Sequence, residues 1–279
     1  MHADVRNYAD NVAKHPRDWG VGAVVDGLHA TNQWNNTIII YTSDNGAQGG
    51  QGGTSFPLRG FKTQLYEGGV RVPGFVTGGS PLLPASVRGT LNNKLIHVVD
   101  WLPTIVGLAG GTTDRNKELD GYNVWDAITK PSTPSPRTEI LLNINPACGL
   151  GFVNPNAALR VGDWKLLVDC FNVTTLAPND NTKIELYNIA KDPYEYADQA
   201  SAEPAMVKQL LLRMAHYGAQ PDQVPPTLFP WFNKTDQGKG VADWNYQCPQ
   251  CPQGGAKPSA KGFYFDPWCD DVTCVEHRP

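Results

Sequence analysis

One continuous β-branched run, at residues 37–42, most constrains what this 279-residue chain can fold into. Apolar and aromatic residues bounded by polar ones predict a strand that is buried on both faces, as in α/β sheets. The run delivers Asp44 and Asn45 at its carboxyl end, where open α/β sheets bind their ligands. A glycine-rich loop at residues 46–54 follows, and then Lys62. The sequence therefore predicts an α/β domain with chemistry at this strand end.

Asp44 and Asn45 place a carboxylate beside an amide oxygen, and hard cations such as Ca²⁺ or Mg²⁺ prefer such ligands. Lys62, if returned to the same place, suits an anionic group bound to that metal. Each feature has an ordinary alternative when it is taken alone. An Asx-Gly pair is a common turn, and a single lysine is usually a solvated surface residue. Only the combination, in this order, favours a metal and anion site.

Composition and charge limit the classes of function. The chain has 23 basic and 27 acidic residues, for a formal net charge of −4, and it contains no basic tract. The charge therefore gives no support to nucleic-acid binding. No apolar run is long enough to span a bilayer, so we predict no membrane span. The first residues also lack the charged and then apolar pattern of a signal peptide.

Changes in composition predict three regions. Residues 1–135 carry the α/β part, with a second strand at residues 71–77 and a helix that Asp100 caps. A Pro/Ser/Thr stretch then leads into residues 136–220, which we predict to be a small antiparallel sheet with one amphipathic helix. The strands of this sheet are predicted at residues 139–143, 157–161, 164–168 and 185–188, and the helix at residues 205–217. Residues 221–279 form an irregular tail rich in Cys and Pro.

Six cysteines and three glycosylation sequons favour the secretory pathway. The candidate glycosylation sites are Asn35, Asn172 and Asn233. The tail carries four of the cysteines, with spacings that approach those of a zinc ribbon. Disulfides are the alternative for this cluster and the one we favour. A zinc-binding tail module is one hypothesis on function, beside the two that are given below. The tail cysteines are Cys248, Cys251, Cys269 and Cys274.

Several motifs, in one order and at consistent spacing, resemble the sulfatases of the alkaline phosphatase superfamily. Within that family the resemblance is nearest to the arylsulfatase B (N-acetylgalactosamine-4-sulfatase) group. It implies the C-terminal part of an alkaline-phosphatase-like mixed sheet flanked by helices, with the small C-terminal subdomain beside it. The motifs lie at residues 43–46, 57–62, 67–71, 95–104, 119–125 and 158–167.

The resemblance also implies a reaction, the hydrolysis of a sulfate ester or sulfated glycan in a lysosomal or extracellular setting. Asp44 and Asn45 match metal ligands of the family for Ca²⁺ or Mg²⁺, and Lys62 matches a sulfate-binding lysine. Cys148 and Cys170 match a family disulfide. His97 is expected to be structural.

The family's nucleophile is a formylglycine made from cysteine in a Cys-x-Pro-x-Arg motif, and none of the six cysteines here fits that motif. We therefore expect the C-terminal half of a sulfatase, with an incomplete metal site and no activity alone. Its partner would be the missing N-terminal half or another chain. The alternative hypothesis is a non-catalytic secreted derivative of the fold that binds a glycan or a protein.

Overall fold

The computed structural model describes residues 16–48, 53–114, 119–144, 155–172, 174–180 and 182–220, with side chains described from Gly20 onward. Contacts divide the chain into two units, residues 1–224 and residues 225–279. The tail cysteines and Asn233 lie outside the described residues, as does Cys148.

The first part of the chain combines short helices with a two-stranded antiparallel sheet. The strands pair from Ile38 opposite Gly78 to Thr42 opposite Gly74, and the rings of Tyr41 and Phe75 stack at 5.0 Å. The elements are α1 (Pro16–Ala30), β1 (Ile38–Thr42), α2 (Glu67–Val70), β2 (Gly74–Gly78), α3 (Trp101–Leu108) and α4 (Trp125–Thr129), with 3₁₀ turns at Trp34–Asn36, Ala85–Val87 and Val98–Asp100.

The burial predicted for the first strand is wrong. Four residues of β1 are half-buried and Thr42 is exposed. The physical reason is that, within the described residues, the sheet of β1 has two strands, and so narrow a sheet leaves part of each face open to solvent. A continuous apolar run indicates that both faces can be covered, but it does not say what covers them.

The second part is a four-stranded antiparallel sheet with one long helix, as predicted. The sheet order is β3-β4-β5-β8, and β6 pairs with β7 in a separate ribbon. Gly162 turns the β4–β5 hairpin with a φ of +56°, a conformation that glycine adopts without strain. The elements are β3 (Glu139–Ile144), β4 (Ala157–Val161), β5 (Trp164–Val168), β6 (Phe171–Asn172), β7 (Ala177–Pro178), β8 (Ile184–Asn188) and α5 (Pro204–Gly218).

Both faces of the four-stranded sheet are covered. Leu210 and Met214 of α5 pack on one face, against a cluster that includes Leu159, Leu166 and Leu186. The opposite face packs on residues of the first part, and this second cluster comprises Leu65, Tyr66, Ala158, Leu167, Tyr187 and Ile189. Each fully buried leucine contributes about 1.5–3 kcal/mol through the hydrophobic effect. The two parts of the described chain therefore share a core.

Asp100 stands at the N-cap position of α3, as predicted, but its carboxylate caps the preceding 3₁₀ turn, where it completes a capping box with His97. Its side chain makes no cap hydrogen bond to α3 and is completely buried. The carboxylate accepts hydrogen bonds from the Arg137 guanidinium and from the backbone N–H groups of His97 and Tyr122. Burial alone would raise the pKa of Asp100, but these donors outweigh it and hold the pKa below its usual value. His97 caps the 3₁₀ turn at Val98–Asp100 from the position before it, which agrees with a structural role.

Candidate functional site

The loop after β1 carries Asp44 and Asn45 at the end of the two-stranded sheet. The Ser43 N–H donates to the carbonyl oxygen of Pro73 at 3.0 Å, which continues the pairing of the two strands by one step. Oδ1 of Asp44 then accepts a hydrogen bond from the Asn45 N–H at 3.0 Å. Asp44 is exposed and Asn45 is half-buried. The predicted pair therefore stands at the strand end, with its carboxylate accessible.

Gly46 holds this loop against α2. Its N–H donates to the carbonyl oxygen of Gly69 at 2.9 Å. A β-carbon on Gly46 would lie 1.9 Å from the Gly68 carbonyl oxygen and 2.7 Å from the Gly69 Cα. Only glycine permits this approach, so the Asp-Asn-Gly sequence is more than a generic turn signal.

Lys62 is brought to the same loop by its backbone. The Lys62 N–H donates to the carbonyl oxygen of Ala47 at 3.0 Å, two residues beyond Asn45. The Ala47 N–H in turn donates to Oγ of Ser55 at 3.1 Å, and the Ser55 hydroxyl donates to the Gly68 carbonyl at 2.7 Å. The Lys62 side chain is exposed. The structure therefore brings the three predicted residues into one neighbourhood.

Asp44 and Asn45 fit one part of the coordination shell of a hard cation. Ca²⁺ takes about 6–8 oxygen ligands, and an accessible carboxylate next to an amide oxygen supplies the right chemistry for a few of them. No group of three or more His, Cys, Asp or Glu side chains within the described ranges could hold a metal ion.

A buried ionic cluster lies behind the loop and joins the two parts of the chain. Nζ of Lys165 lies 2.9 Å from Oε1 of Glu67 and 2.9 Å from Oε1 of Glu195. The side chains of Lys165 and Glu195 are fully buried, and that of Glu67 is 3% exposed. Burial raises the pKa of Glu195, although Lys165 opposes this shift. The motif at residues 67–71 did not reveal that Glu67 has these two partners.

A second cluster surrounds Arg59, in the segment that leads to Lys62. Its guanidinium donates to Glu185 and to the phenol oxygens of Tyr66 and Tyr187, and it stacks 3.9 Å above the Tyr66 ring. The Tyr66 hydroxyl donates to Oε2 of Glu185 at 2.5 Å. The signal in the sequence was a charged residue, Glu185, inside an apolar strand, but nothing in the sequence identified its partner.

The covalent sites are described only in part. Cys170 is disulfide-bonded, but its predicted partner, Cys148, lies outside the described residues. Asn35 is exposed in the turn at Trp34–Asn36. Oδ1 of Asn172 accepts hydrogen bonds from the backbone N–H groups of Thr174 and Thr175. Pairing and glycosylation at these positions stay predictions.

No helix in the described part of the chain combines the length and apolar content that crossing a membrane requires.

Known structures share this architecture. The chain superposes on Ps i-CgsB, solved in complex with k-i-k-neocarrahexaose, with a TM-score of 0.59 and 27% identity, over 79% of this chain and 44% of that one. It also superposes on the PsFucS1 sulfatase from Pseudoalteromonas sp., with a TM-score of 0.56 and 26% identity, over 74% and 42% of the two chains. The fold is therefore the α/β fold of alkaline-phosphatase-like hydrolases, and the sheets in its described part are antiparallel.

Sequence comparison then gives the family. The sulfatase family model matches residues 3–111. Arylsulfatase J of Mus musculus is 40% identical over 226 residues, which are 69% of this chain and 37% of that protein. The chain belongs to the sulfatase family. It spans about two fifths of the length of these relatives. The narrower resemblance to arylsulfatase B stays a prediction.

Proposed function

We propose that this chain supplies part of the active site of an arylsulfatase-type hydrolase that cleaves sulfate esters on a glycan. One observation carries the proposal. Asp44 and Asn45 stand at the end of β1, and the hydrogen bonds of Gly46 to Gly69 and of Lys62 to Ala47 hold the segment of Lys62 beside them. An oxygen-ligand pair next to a lysine suits the anionic sulfate group of a monoester when that group is bound to a metal.

In this reading, Asp44 and Asn45 hold Ca²⁺ or Mg²⁺, which when bound neutralises the oxygens of the sulfate group. Lys62 binds and orients the sulfate, because its ammonium group is a flexible point charge with three donors. The exposed position of Lys62 agrees with contact to a ligand. The chain's own contribution is thus to bind and orient the anion.

The nucleophile must come from elsewhere. None of the six cysteines has Pro two residues later and Arg four residues later. We therefore propose that the chain alone is inactive and that turnover needs a polypeptide carrying the rest of a sulfatase fold. Val98, Leu102 and Ile105 support such a partner, because they are 63%, 53% and 50% exposed at helical spacing on one face of the α3 region.

A sulfated glycan is the substrate class that we propose. Ps i-CgsB, which shares this fold at 27% identity, has been solved with a bound k-i-k-neocarrahexaose. We further propose a place in the secretory pathway, lysosomal or extracellular, which the disulfide bond at Cys170 supports.

Binding tests the anion site without turnover. Isothermal titration of the chain with a sulfated oligosaccharide, with and without Ca²⁺, should show Ca²⁺-dependent binding. Lys62→Ala should weaken it about tenfold, the loss expected for one charge-assisted hydrogen bond. Lys208→Ala is the matched control, since this lysine is also exposed but lies on α5. Equal affinities of the two variants would contradict the assignment of Lys62.

A second candidate is a non-catalytic derivative that only binds the glycan, and the missing nucleophile motif favours it. The two candidates separate in a complementation assay with 4-methylumbelliferyl sulfate in Ca²⁺. Mixing the chain with an N-terminal sulfatase half that carries the Cys-x-Pro-x-Arg motif should give turnover, which Asp44→Ala removes. Glycan binding without turnover in that mixture would favour the binding protein, and turnover by the chain alone would overturn the proposed inactivity.

A further inference from the structure

We propose that Lys165, in β5 of the four-stranded sheet, is a positioning residue that fixes the Asp44–Asn45 loop through Glu67 and the carbonyl groups of α2. The functional meaning of this role rests on the proposed function. The coupling itself rests on contacts that are independent of any bound metal.

The first step concerns the buried position of Lys165. It lies in β5, on the sheet face that packs against the first part of the chain, and its side chain has no exposure. A charged group is buried at such a position only if it is paired. Both of its partners, Glu67 and Glu195, lie at 2.9 Å. The ammonium group is thus the link between the sheet and α2.

The second step is that Glu67 is held by its backbone as well. Its N–H donates to Oε2 of Glu195 at 2.6 Å, while its carboxylate accepts from Lys165. Glu195 itself has a φ of +59°, which costs a residue with a side chain roughly 1–2 kcal/mol. Such strain persists only where the surroundings fix the residue. The cluster therefore fixes Glu67 through both its backbone N–H and its carboxylate.

The third step is that α2 is hydrogen-bonded to the Asp44–Asn45 loop. Glu67 is the first residue of α2, and the next two residues offer their carbonyl groups to Ser55 and Gly46. The backbone of α2 is closely packed against its neighbours. A β-carbon on Gly68 would lie 2.5 Å from the Arg59 carbonyl oxygen, and one on Gly69 would lie 2.0 Å from that of Gln64. A displacement of Glu67 is therefore passed on to Gly46 and to the residues before it.

Because Lys165 carries the positive charge that both carboxylates contact, its loss should disturb the cluster most. Two carboxylates share its one ammonium group. The next cation on Glu67 is Arg71, at 3.8 Å and 38% exposed, and Arg160 acts on both carboxylates through space. Without the Lys165 charge, Glu67 loses its buried donor, and the two carboxylates either repel each other or share a proton. Both outcomes change the position of Glu67 and with it that of the α2 carbonyl groups.

Hydrogen exchange tests the coupling directly. Lys165→Met should speed amide exchange in residues 43–48 about tenfold or more, since it releases the Gly46 N–H bond. Arg137→Met is the control, because it breaks another largely buried ion pair, with Asp100, whose hydrogen bonds and ion pairs in the described residues do not involve α2. Both variants are compared at urea concentrations that leave them equally stable. Equal exchange rates of residues 43–48 in the two variants would overturn the proposal.

Two further variants separate positioning from simple loss of structure. Adding Glu195→Gln to Lys165→Met removes the repulsion and should return exchange to within about threefold of the parent protein. If Lys165→Met does not fold, Glu67→Gln replaces it, since it weakens the bond to Lys165 and keeps the backbone bond to Glu195. Unchanged exchange at residues 43–48 in Glu67→Gln would then count against the coupling.

A Tb³⁺ titration, followed by luminescence, gives the link to function. We expect the apparent affinity of Lys165→Met to fall about fivefold or more, while that of Arg137→Met stays unchanged. If Lys165→Met shows faster exchange but the parent protein binds no Tb³⁺, the result supports the positioning role and counts against the metal site. Tb³⁺ binding that is insensitive to Lys165 would overturn the functional part of this inference.

Discussion

Gly46 approaches Gly68 so closely that a β-carbon on Gly46 would lie 1.9 Å from the Gly68 carbonyl oxygen. Gly46→Ala must therefore move a backbone. We expect it to lower the free energy of unfolding by about 3 kcal/mol or more. Gly22→Ala, in α1, is the control, since nothing lies within 4 Å of its β-carbon. It should be neutral or stabilising by about 0.5–1 kcal/mol, because alanine favours helices. Urea unfolding measures both, and equal stabilities would contradict the close contact.

Arg59 and Lys183 both contact Oε1 of Glu185, at 3.3 Å and 2.9 Å, and we expect the more distant cation to matter more. Arg59 also bonds two tyrosines and is 32% exposed, whereas Lys183 is 58% exposed. Arg59→Ala should cost about 2–3 kcal/mol of unfolding free energy, and Lys183→Ala less than about 1 kcal/mol. Chemical denaturation measures both losses. If Lys183→Ala lowers the free energy of unfolding more than Arg59→Ala does, the shorter distance to Glu185 matters more than burial, and the prediction is wrong.

The ion pair of Glu139 and Arg213, which ties β3 to α5, should make stability depend on pH. Nε of Arg213 donates to Oε2 of Glu139 at 2.9 Å, and this bond, against the effect of burial, lowers the pKa of Glu139 from 4.5. Because the folded pKa is depressed, the stabilisation is present above the unfolded pKa and is lost as the pH falls through the folded one. Arg213→Met should therefore cost about 1 kcal/mol at pH 6.5 and progressively less below about pH 4.

Denaturation of the two proteins across this pH range measures the difference. Lys130→Met is the control, since its pair with Asp126 is 60% and 62% exposed and should contribute little at any pH. A difference between Arg213→Met and the parent that stays constant down to pH 3 would contradict the ionic origin.

The disulfide of Cys170 can be mapped by mass spectrometry of a non-reduced digest. We expect a linked peptide that contains Cys148 and Cys170. Cys170→Ser should lower the free energy of unfolding by about 3 kcal/mol, the amount for a loop of roughly 20 residues. A linkage from Cys170 to one of the tail cysteines would contradict the predicted pairing.

Local signals in the sequence predicted the local elements well. The β4–β5 hairpin and α5 are fixed by short-range rules, namely glycine at a positive φ and an apolar stripe at helical spacing. The neighbourhood of Asp44, Asn45 and Lys62 was predicted from motif order. Its geometric cause, the contact of Gly46 with α2, was not visible in the sequence.

Long-range partners could not be predicted. Lys165 and Glu67 are 98 positions apart, and Arg59 and Glu185 are 126 apart. Taken singly, each of these residues reads as a solvated surface charge. Their burial follows from the way the first part of the chain packs on the four-stranded sheet, and a single sequence carries no direct record of that packing.

The four-stranded sheet also limits how this sequence can vary. A sheet covered on one face accepts polar residues at every second position, so its tolerance of substitution alternates along each strand. In β5 and β8, consecutive residues from Lys165 to Val168 and from Glu185 to Tyr187 are all buried. A saturation library across these strands, sorted for folded protein, should show intolerance without a two-residue rhythm, so neither side of the sheet is open to neutral drift.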